Sequence, residues 1–346
     1  MFQHILVPLD GSKRAESAIP VAANIARATG GSLLFVRVVS VSSVYAFYSG
    51  EPFVLPPDIP ATDYQTTSAA SYLVTIAQGA ELSGITVQTK VLTGVPAQQI
   101  LWCIEEQAID LVVLCSRGET GLKRWVLGSV AQKVLRHSSA PVLVLHESAG
   151  ILSSQHPAGR RPVRILVALD GSALAETALE PAAALSAALS APEQGTLHLV
   201  QVLPLAEPAN ATEALSDARQ LDLSVGQTSL RETVEAWQEK CEKTGSPALE
   251  TSVIVHPDVA ESLIRMAEEG VPATEESEAR QACDVVALAT HGRSGPARWV
   301  MGSIAERVLD GTRLPLLVVR ASWPAKHYPH ETRSTQTRTP SQGEHP

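Results

Sequence analysis

The sequence predicts an α/β protein of two tandem doubly wound domains, each a five-stranded parallel sheet with helices on both faces. Short, almost continuously apolar runs alternate with longer segments of helical period, as in parallel strands that are buried on both faces. The alternation then occurs a second time. The segment Ile5 to Ser12 returns as Ile165 to Ser172. Near the end of each copy, Ala140 to Leu145 is paralleled by Leu314 to Val319.

The repeat has the size of a whole domain. Matching segments are offset by 160 residues at the start and by 174 at the end, so the second copy carries about 14 extra residues, mainly in Gly270 to Gln281. A chain of 346 residues accommodates two such domains, each large enough for its own core. We predict domains at residues 1–147 and 163–321, a polar linker at 148–162 and a disordered tail at 322–346.

In each copy of the repeat we predict nine elements, five strands alternating with four helices. The first has strands at Ile5 to Leu9, Ser32 to Val39, Ile85 to Leu92, Leu111 to Cys115 and Val142 to Leu145, with helices at Ala15 to Ala28, Ser68 to Leu82, Ala97 to Gln107 and Val130 to Arg136. The second has strands at Ile165 to Leu169, Leu197 to Leu203, Glu250 to Val255, Val285 to Ala289 and Leu316 to Val319, with helices at Glu176 to Leu189, Ser229 to Lys243, Ala260 to Glu268 and Ile304 to Leu309.

Composition argues against several classes of partner. The net charge of −9, without long blocks of one sign, disfavours nucleic-acid and membrane-surface partners. The four cysteines lack C-x-x-C spacing, which favours buried, reduced thiols. The chain shows no basic-then-apolar signal segment and no apolar stretch of membrane-spanning length. We therefore expect a soluble cytoplasmic protein.

Two glycine-containing loops, each between a strand and a helix, are the candidate phosphate sites. Gly118 is followed ten residues later by Gly128-Ser129, and the same spacing separates Gly292 from Gly302-Ser303. We expect the glycines to allow positive φ and close approach of a ligand, and Ser129 to lie in the first helical turn, where N–H groups and the helix dipole attract phosphate. The pattern is also explained if the glycines only turn the chain and the serine only caps the helix.

Asp10 and Asp170 each stand at the carboxyl end of a first strand. In a doubly wound sheet this position borders the switch point where ligands bind. A carboxylate there accepts hydrogen bonds from an adenine amino group, a ribose hydroxyl or a metal-bound water. The Asp-Gly-Ser sequence equally suits an Asx turn that caps the following helix, so both roles stay open.

Motifs of the common catalytic sites are missing from the sequence. It contains no G-x-x-x-x-G-K-[ST] loop, no G-x-G-x-x-G after the first strand, no G-x-S-x-G and no H-E-x-x-H. The histidines are scattered without metal-ligand spacing. We therefore predict no catalytic residue and no protein metal site.

These loops and strand ends resemble the universal stress protein family in both copies. Family members that bind ATP carry a loop of the form G-x2-G-x9-G-[ST] after the fourth strand. Its second and third elements correspond to Gly118 and Gly128-Ser129 in one copy, and to Gly292 and Gly302-Ser303 in the other. Cys115 and Ala289 replace its first glycine, so each adds a Cβ near the sugar and phosphates. The resemblance implies a fold like that of the adenine nucleotide alpha hydrolases.

The resemblance also implies the ligand and further site residues. It implies binding of ATP, with or without Mg²⁺, by the aspartates Asp10 and Asp170. Pro8 fits the family's first-strand pattern, whereas Ala168 departs from it. Val38 and Val202 correspond to the position after the second strand whose backbone meets the adenine. The first copy also keeps Gly94-Val95-Pro96, which makes its domain the better candidate site.

Family members pair largely through their last strand. By that resemblance, Val142 to Leu145 and Leu316 to Val319 pair within one chain as an intramolecular pseudo-dimer, and two chains can associate further as a homodimer. The function implied is a stress-response protein whose conformation or partner choice depends on bound ATP. Two alternatives remain open: an interaction module of the same fold without nucleotide, and a slow Mg²⁺-dependent ATPase.

Overall fold

A computed structural model gives the fold. It describes residues 1–40, 47–48, 51–52, 59–116, 127–146, 152, 161–204, 214–240, 247–270, 281–290 and 301–320. The predicted tail at 322–346, residues 271–280 of the extra segment, and the loop glycines Gly118 and Gly292 lie outside these ranges.

The first domain alternates strands and helices in the predicted order. Its strands are β1 (His4–Pro8), β2 (Ser32–Val39), the short pair β3 (Phe47–Tyr48) and β4 (Glu51–Pro52), β5 (Thr86–Thr93), β6 (Leu111–Cys115) and β7 (Val142–Leu145). Its helices are α1 (Lys13–Glu16), α2 (Ala18–Thr29), α3 (Ile59–Ala77), α4 (Pro96–Glu106) and α5 (Ser129–His137), with a 3₁₀ turn at Ala80–Leu82.

The second domain repeats the plan, and the short pair has no counterpart among its described residues. Its strands are β8 (Arg164–Leu169), β9 (Thr196–Leu203), β10 (Ala248–Val255), β11 (Val285–Ala289) and β12 (Leu316–Val319). Its helices are α6 (Ala173–Glu176), α7 (Leu179–Ser190), α8 (Ala214–Lys240), α9 (Val259–Glu269) and α10 (Ser303–Gly311).

The two domains form one sheet of ten strands in the order β10-β9-β8-β11-β12-β7-β6-β1-β2-β5. Each domain contributes five parallel strands to this sheet, whereas β12 and β7 pair antiparallel across the domain boundary. Both the five-stranded parallel domains and the intramolecular pairing of the last strands are confirmed. The arrangement gives each fifth strand a neighbour on both sides, so neither is an open edge.

Hydrophobic layers lie on both faces of the sheet, because successive side chains of a strand point to opposite sides. In β1, Ile5 and Val7 enter one layer and Leu6 enters the other. Leu152, from the predicted linker, is also buried in the first layer, and its carbonyl accepts a hydrogen bond from Asn24 Nδ2 at 3.3 Å. At the boundary, Arg136 of α5 pairs with Glu306 of α10 at 2.8 Å.

Several predicted helix boundaries are wrong. The helix expected at Ala15 to Ala28 is divided into α1 and α2, because Pro20 has no N–H to offer the carbonyl four residues earlier. Helix α3 begins nine residues before the predicted Ser68, with Pro60 in its first turn, and ends before Gly79. Helix α8 begins 15 residues before the predicted Ser229.

No helix in the ranges given above is both long and apolar enough to cross a membrane.

Candidate functional site

A cavity of about 300 Å³ opens at the carboxyl ends of the first domain's strands. It lies where β1 is flanked by β2 on one side and β6 on the other, the point at which the strand order changes direction. Five of the predicted site residues line it: Pro8, Asp10, Val38, Gly128 and Ser129. The structure therefore brings together residues from three separate parts of the chain.

Asp10 is held in position by the turn that follows β1. Its Oδ1 accepts hydrogen bonds from Ser12 N at 2.9 Å and Ser12 Oγ at 2.7 Å. Ser12 Oγ in turn accepts from Ala15 N and caps α1. Gly11 supplies the positive φ of +94° that this turn requires. One carboxylate oxygen is thus used for the Asx turn, and the side chain still lines the cavity, so capping and ligand binding are compatible.

Val38 is expected to contribute its backbone groups, rather than its side chain, to ligand binding. The expectation that it follows the second strand is wrong, because it lies inside β2, one residue before its end. Leu9 N bonds Val36 O at 2.8 Å, so Val36 faces β1, and Val38, two residues further, faces the same way. On the opposite side of β2, Val39 O accepts a hydrogen bond from Gly94 N, as expected if successive residues of the strand face opposite neighbours. Since β1 ends at Pro8, opposite Val36, the backbone of Val38 faces the cavity.

Helix α5 directs its amino terminus to the same cavity. Gly128 is the N-cap residue and provides no side-chain cap, and Ser129 is the first helical residue. The expected positive φ at Gly128 is wrong: its φ is −62° and its ψ 146°, a conformation that any residue adopts. The glycine therefore keeps the approach to the first N–H groups open, and the positive end of the helix dipole lies there.

Apolar side chains form much of the remaining wall. Val36, Ile100 and Leu114 line the cavity with Pro96, the first residue of α4. The sequence signal for Pro96 was the Gly94-Val95-Pro96 segment, whereas Ile100 was not predicted. Its position four residues after Pro96 on the same helix face was an available signal. The cavity therefore combines an apolar surface, one carboxylate and a helix amino terminus, which suits a ligand with a flat apolar part and an anionic part.

Cys115 occupies the position of the missing first glycine. Its Sγ donates to Arg14 O at 2.8 Å and lies 3.2 Å from Ser17 Oγ, so the sulfur is anchored at the junction of α1 and α2. Burial raises the pKa of this thiol. Although Cys115 lines the cavity, its polar atom is committed to the helix junction, which leaves mainly the Cβ to restrict a ligand.

A charged network lies beside the cavity on the other face of β2. The Arg37 guanidinium lies 4.8 Å from the centroid of the Tyr72 ring, and Tyr72 OH donates to Glu16 Oε1 at 3.1 Å. Lys13 Nζ pairs with Glu16 Oε2 at 2.7 Å. Burial and the neighbouring Glu16 raise the pKa of Tyr72, which stays protonated at neutral pH. Sequence reasoning did not identify these residues because their contacts join α1, β2 and α3.

The second domain repeats the local turns. Asp170 Oδ1 accepts from Ser172 N at 3.0 Å and from Ser172 Oγ at 2.6 Å. Gly302 is the N-cap of α10 with φ −61°, and Ser303 is the first helical residue. A Cβ on Gly302 would lie 3.2 Å from Thr290 O. Val202 lies inside β9 rather than after it, and is buried. Ala289, the counterpart of Cys115, ends β11.

One difference distinguishes the two sites near the helix that follows the third strand. The N-cap of α4 is Val95, which makes no side-chain cap, whereas the N-cap of α9 is Asp258, whose Oδ1 accepts from Glu261 N at 3.0 Å. Asp258 also forms an ion pair with Arg307 of α10. A carboxylate of the chain itself therefore occupies one of the helix amino termini in the second domain.

Within the described ranges, no group of three or more His, Cys, Asp or Glu side chains is arranged to hold a metal ion.

Comparison with known proteins identifies relatives of the whole chain and of one domain. A sequence model of the Universal stress protein family matches residues 1–146 and again 163–320. A universal stress protein from Mycobacterium tuberculosis is 26% identical over 333 residues, which cover 92% of this chain and 98% of the relative. Another, from Methanocaldococcus jannaschii, is 32% identical over 145 residues, 42% of this chain and 82% of the relative.

A solved structure shares the two-domain fold. The crystal structure of a universal stress protein from Archaeoglobus fulgidus matches with a TM-score of 0.59 and 19% identity. The match covers 93% of this chain and 100% of that one. At this level of identity the likeness concerns the fold alone.

Proposed function

Because this chain belongs to the universal stress protein family, we propose that it is a stress-response protein that binds ATP in its first domain and acts as a nucleotide-dependent regulator or interaction module. The observation that carries the proposal is the collection of Pro8, Asp10, Val38, Gly128 and Ser129 around one cavity. Three parts of the chain that are far apart in sequence supply chemistry for one kind of ligand.

Each group has a distinct part in the proposed binding. The backbone of Val38 meets the edge of the adenine, and the apolar wall formed by Val36, Ile100 and Leu114 packs against the ring. The first N–H groups of α5 and the Ser129 hydroxyl bind phosphate oxygens. Asp10 accepts a hydrogen bond from a ribose hydroxyl or from water on a Mg²⁺ ion brought by the nucleotide. Gly118, which lies outside the described residues, matches a further glycine of the family loop in sequence.

We place binding in the first domain because Asp10, Gly128 and Ser129 line one cavity there, and because it keeps the Gly94-Val95-Pro96 segment where the second domain has Pro257-Asp258-Val259. Asp258 puts a negative charge at the amino terminus of α9, and Arg307, the nearby cation on α10, is already paired with it. The first domain has Val95 in place of that carboxylate. The domain limits proposed are 1–147 and 163–321, with the linker at 148–162.

A comparison of matched double variants tests the proposal. Purified protein is heated, and the released small molecules are identified; its melting temperature is also measured with and without ATP and Mg²⁺. We expect adenine nucleotide or an ATP-dependent rise in melting temperature, lost in the Asp10→Ala, Gly128→Val variant. The same changes in the second domain, Asp170→Ala and Gly302→Val, are expected to leave both readouts unchanged. Neither bound nucleotide nor a thermal shift in folded wild type would reject ATP binding.

A nucleotide-free interaction module is the alternative that a specific observation favours. Cys115 and Ala289 add a Cβ where the family loop has glycine, in both domains. In this alternative, partner binding is equal in the wild type and in the Asp10→Ala, Gly128→Val variant. Release of phosphate that follows the protein through purification and disappears in that variant would instead support a slow Mg²⁺-dependent ATPase.

We also propose a cytoplasmic location. Within the described residues, Cys103, Cys115 and Cys283 are free thiols, and two of them are buried. Free thiols of this kind suit a reducing compartment. Association of two chains as a homodimer is a further part of the proposal, with no nucleic-acid or membrane partner. Size-exclusion chromatography with light scattering measures the association directly.

A further inference from the structure

A second cavity lies in the second domain between α6, α7 and α8. Its volume is about 380 Å³, within the range of small-ligand sites. Glu176 and Glu180 lie on its wall, together with the indole of Trp237. Trp237 is only 8% exposed, so the cavity has a fixed aromatic surface beside two carboxylates. None of the residues predicted to bind ATP lines it.

The first domain shows what the equivalent carboxylate binds. Glu176 is the counterpart of Glu16, 160 residues earlier. Glu16 Oε2 pairs with the ammonium of Lys13 at 2.7 Å, and Glu16 Oε1 accepts from Tyr72 OH at 3.1 Å. In the first copy this carboxylate therefore pairs at the protein surface with the primary ammonium group of Lys13, which is 93% exposed, and accepts a hydrogen bond from a hydroxyl.

The second domain keeps the carboxylate and the hydroxyl but not the ammonium. Thr233 Oγ1 donates to Glu176 Oε1 at 3.1 Å, as Tyr72 does to Glu16. Ala173 stands where the first copy has Lys13, and it lines the cavity. Gln201 replaces Arg37, the other cation of the first network. The three changes remove two positive charges and one aromatic ring from the surroundings of the carboxylate.

We propose that this cavity, defined by Ala173, Glu176, Glu180, Thr233 and Trp237, binds a small aliphatic diamine. One ammonium group pairs with Glu176 in the position that Lys13 takes in the first copy, and the second pairs with Glu180. The alkyl chain packs on Trp237, whose ring also attracts the cations. The proposal is independent of ATP binding, because the two cavities lie in different domains.

Fluorine NMR tests the site through its aromatic wall. The chain has five tryptophans, so protein labelled with 5-fluorotryptophan is compared with its Trp237→Phe variant to identify the Trp237 signal. The probe is 1,4-diaminobutane, added at an ionic strength of about 0.15 M to screen unspecific attraction. We expect a saturable shift of the Trp237 signal. A signal that does not move, or that moves in proportion to total salt without saturating, overturns the proposal.

Variants then assign the two carboxylates. Glu176→Gln removes the charge but keeps an acceptor for Thr233, and we expect it to weaken diamine binding about tenfold. We expect a similar weakening from Ala173→Lys, because its ammonium group competes with the ligand for Glu176. The matched control Glu235→Gln removes an exposed charge from the face of α8 opposite the cavity-lining residues and is expected to leave binding unchanged. Equal weakening by all three variants would mean general charge attraction and contradict the site.

The second ammonium group is tested by comparing ligands. 1-Aminobutane is expected to bind more weakly than the diamine to the wild type, and equally to Glu180→Gln. Tighter binding of Nα-acetyl-lysine amide than of the diamine would assign the cavity to a lysine side chain of a protein and overturn the diamine. Because Gly128→Val should leave all these results unchanged, failure here is separable from failure of ATP binding.

Discussion

Leu143 of β7 lies directly opposite Leu317 of β12 in the antiparallel pair that joins the two domains. Neither side chain is exposed to solvent. Each domain therefore completes its hydrophobic layer with side chains at the edge of the other. We therefore expect the stability of each domain to depend on the other.

Shortening a buried side chain at this boundary should destabilise both domains. We expect Leu317→Ala to lower the free energy of unfolding by about 2–5 kcal/mol, because it leaves a cavity in a fully buried layer. Hydrogen exchange should also quicken at the amides of β7, in the other domain. The matched control is Leu263→Ala in α9, buried in the same domain but outside the boundary strands. Unchanged protection of β7 in Leu317→Ala would contradict the coupling.

Comparing the two Asx turns separates the structural role of the aspartate from its proposed role in ATP binding. We expect Asp10→Ala and Asp170→Ala each to lower stability by about 1 kcal/mol, since each loses the acceptor for a backbone N–H and the support of a helix cap. The rise in melting temperature on adding ATP should disappear only in Asp10→Ala. Thermal unfolding with and without ATP measures both effects. If ATP raises the melting temperature of both variants, or of neither, binding in the first domain is contradicted.

Replacing Cys115 by glycine should restore the family loop at a structural cost. The Sγ hydrogen bond to Arg14 O is lost and the unfolded chain gains freedom, so we expect Cys115→Gly to lower stability by about 1–3 kcal/mol. ATP should nevertheless bind more tightly, because the Cβ no longer restricts the cavity. Calorimetric titration gives the affinity. Ala289→Gly is the control and should leave it unchanged; weaker binding by Cys115→Gly would show that the thiol assists the ligand.

The Asp258–Arg307 ion pair makes a pH-dependent contribution. The hydrogen bond from Arg307, with the N–H of Glu261, holds the pKa of Asp258 below its ordinary value. Its stabilisation is therefore present above the unfolded pKa of about 3.9 and is lost as the pH falls through the lowered native pKa. The urea midpoints of wild type and Asp258→Asn should differ near pH 6 and converge toward pH 3. A control variant, Glu239→Gln at an exposed position of α8, should show no such convergence. A constant difference for Asp258→Asn would refute the linkage.

The sheet was predictable because its strands are buried on both faces. The predicted limits of β6, β7, β11 and β12 agree with the structure, since each is a short apolar run bounded by polar residues or turns. The duplication supplied the rest of the topology, because it showed the same order of elements twice. Which strands meet across the boundary followed from the family resemblance, and the register of Leu143 against Leu317 required the structure.

Helix ends were less predictable, for identifiable reasons. Helices α3 and α8 extend beyond their predicted starts into segments with little apolar periodicity, so the hydrophobic pattern marked only part of each. Pro20 and Gly79 were available as local signals for a break and an end, and the periodic pattern outweighed them. A hydrophobic period indicates which face packs, and it gives less information on where the backbone hydrogen bonds stop.

The sequence indicated which residues lie at the candidate site, but it did not indicate where their side chains point. Asp10, Gly128 and Ser129 line the same cavity, as their places at strand and helix ends suggested. The direction of the Cys115 thiol was not predictable, because its partners Arg14 and Ser17 are about 100 residues away in sequence. The conformation of Gly128 likewise depends on the hydrogen bond that its N–H donates to Ser116 O at 2.7 Å, a contact that sequence spacing does not specify.

The stoichiometry of ATP binding tests the central proposal most directly. Protein freed of bound nucleotide is titrated calorimetrically with ATP and Mg²⁺, in the wild type and in the matched variants Gly128→Val and Gly302→Val. We predict one ATP per chain in the wild type and in Gly302→Val, and none in folded Gly128→Val. Two ATP molecules per wild-type chain, or binding that survives Gly128→Val and is lost in Gly302→Val, would contradict the assignment of the site to the first domain.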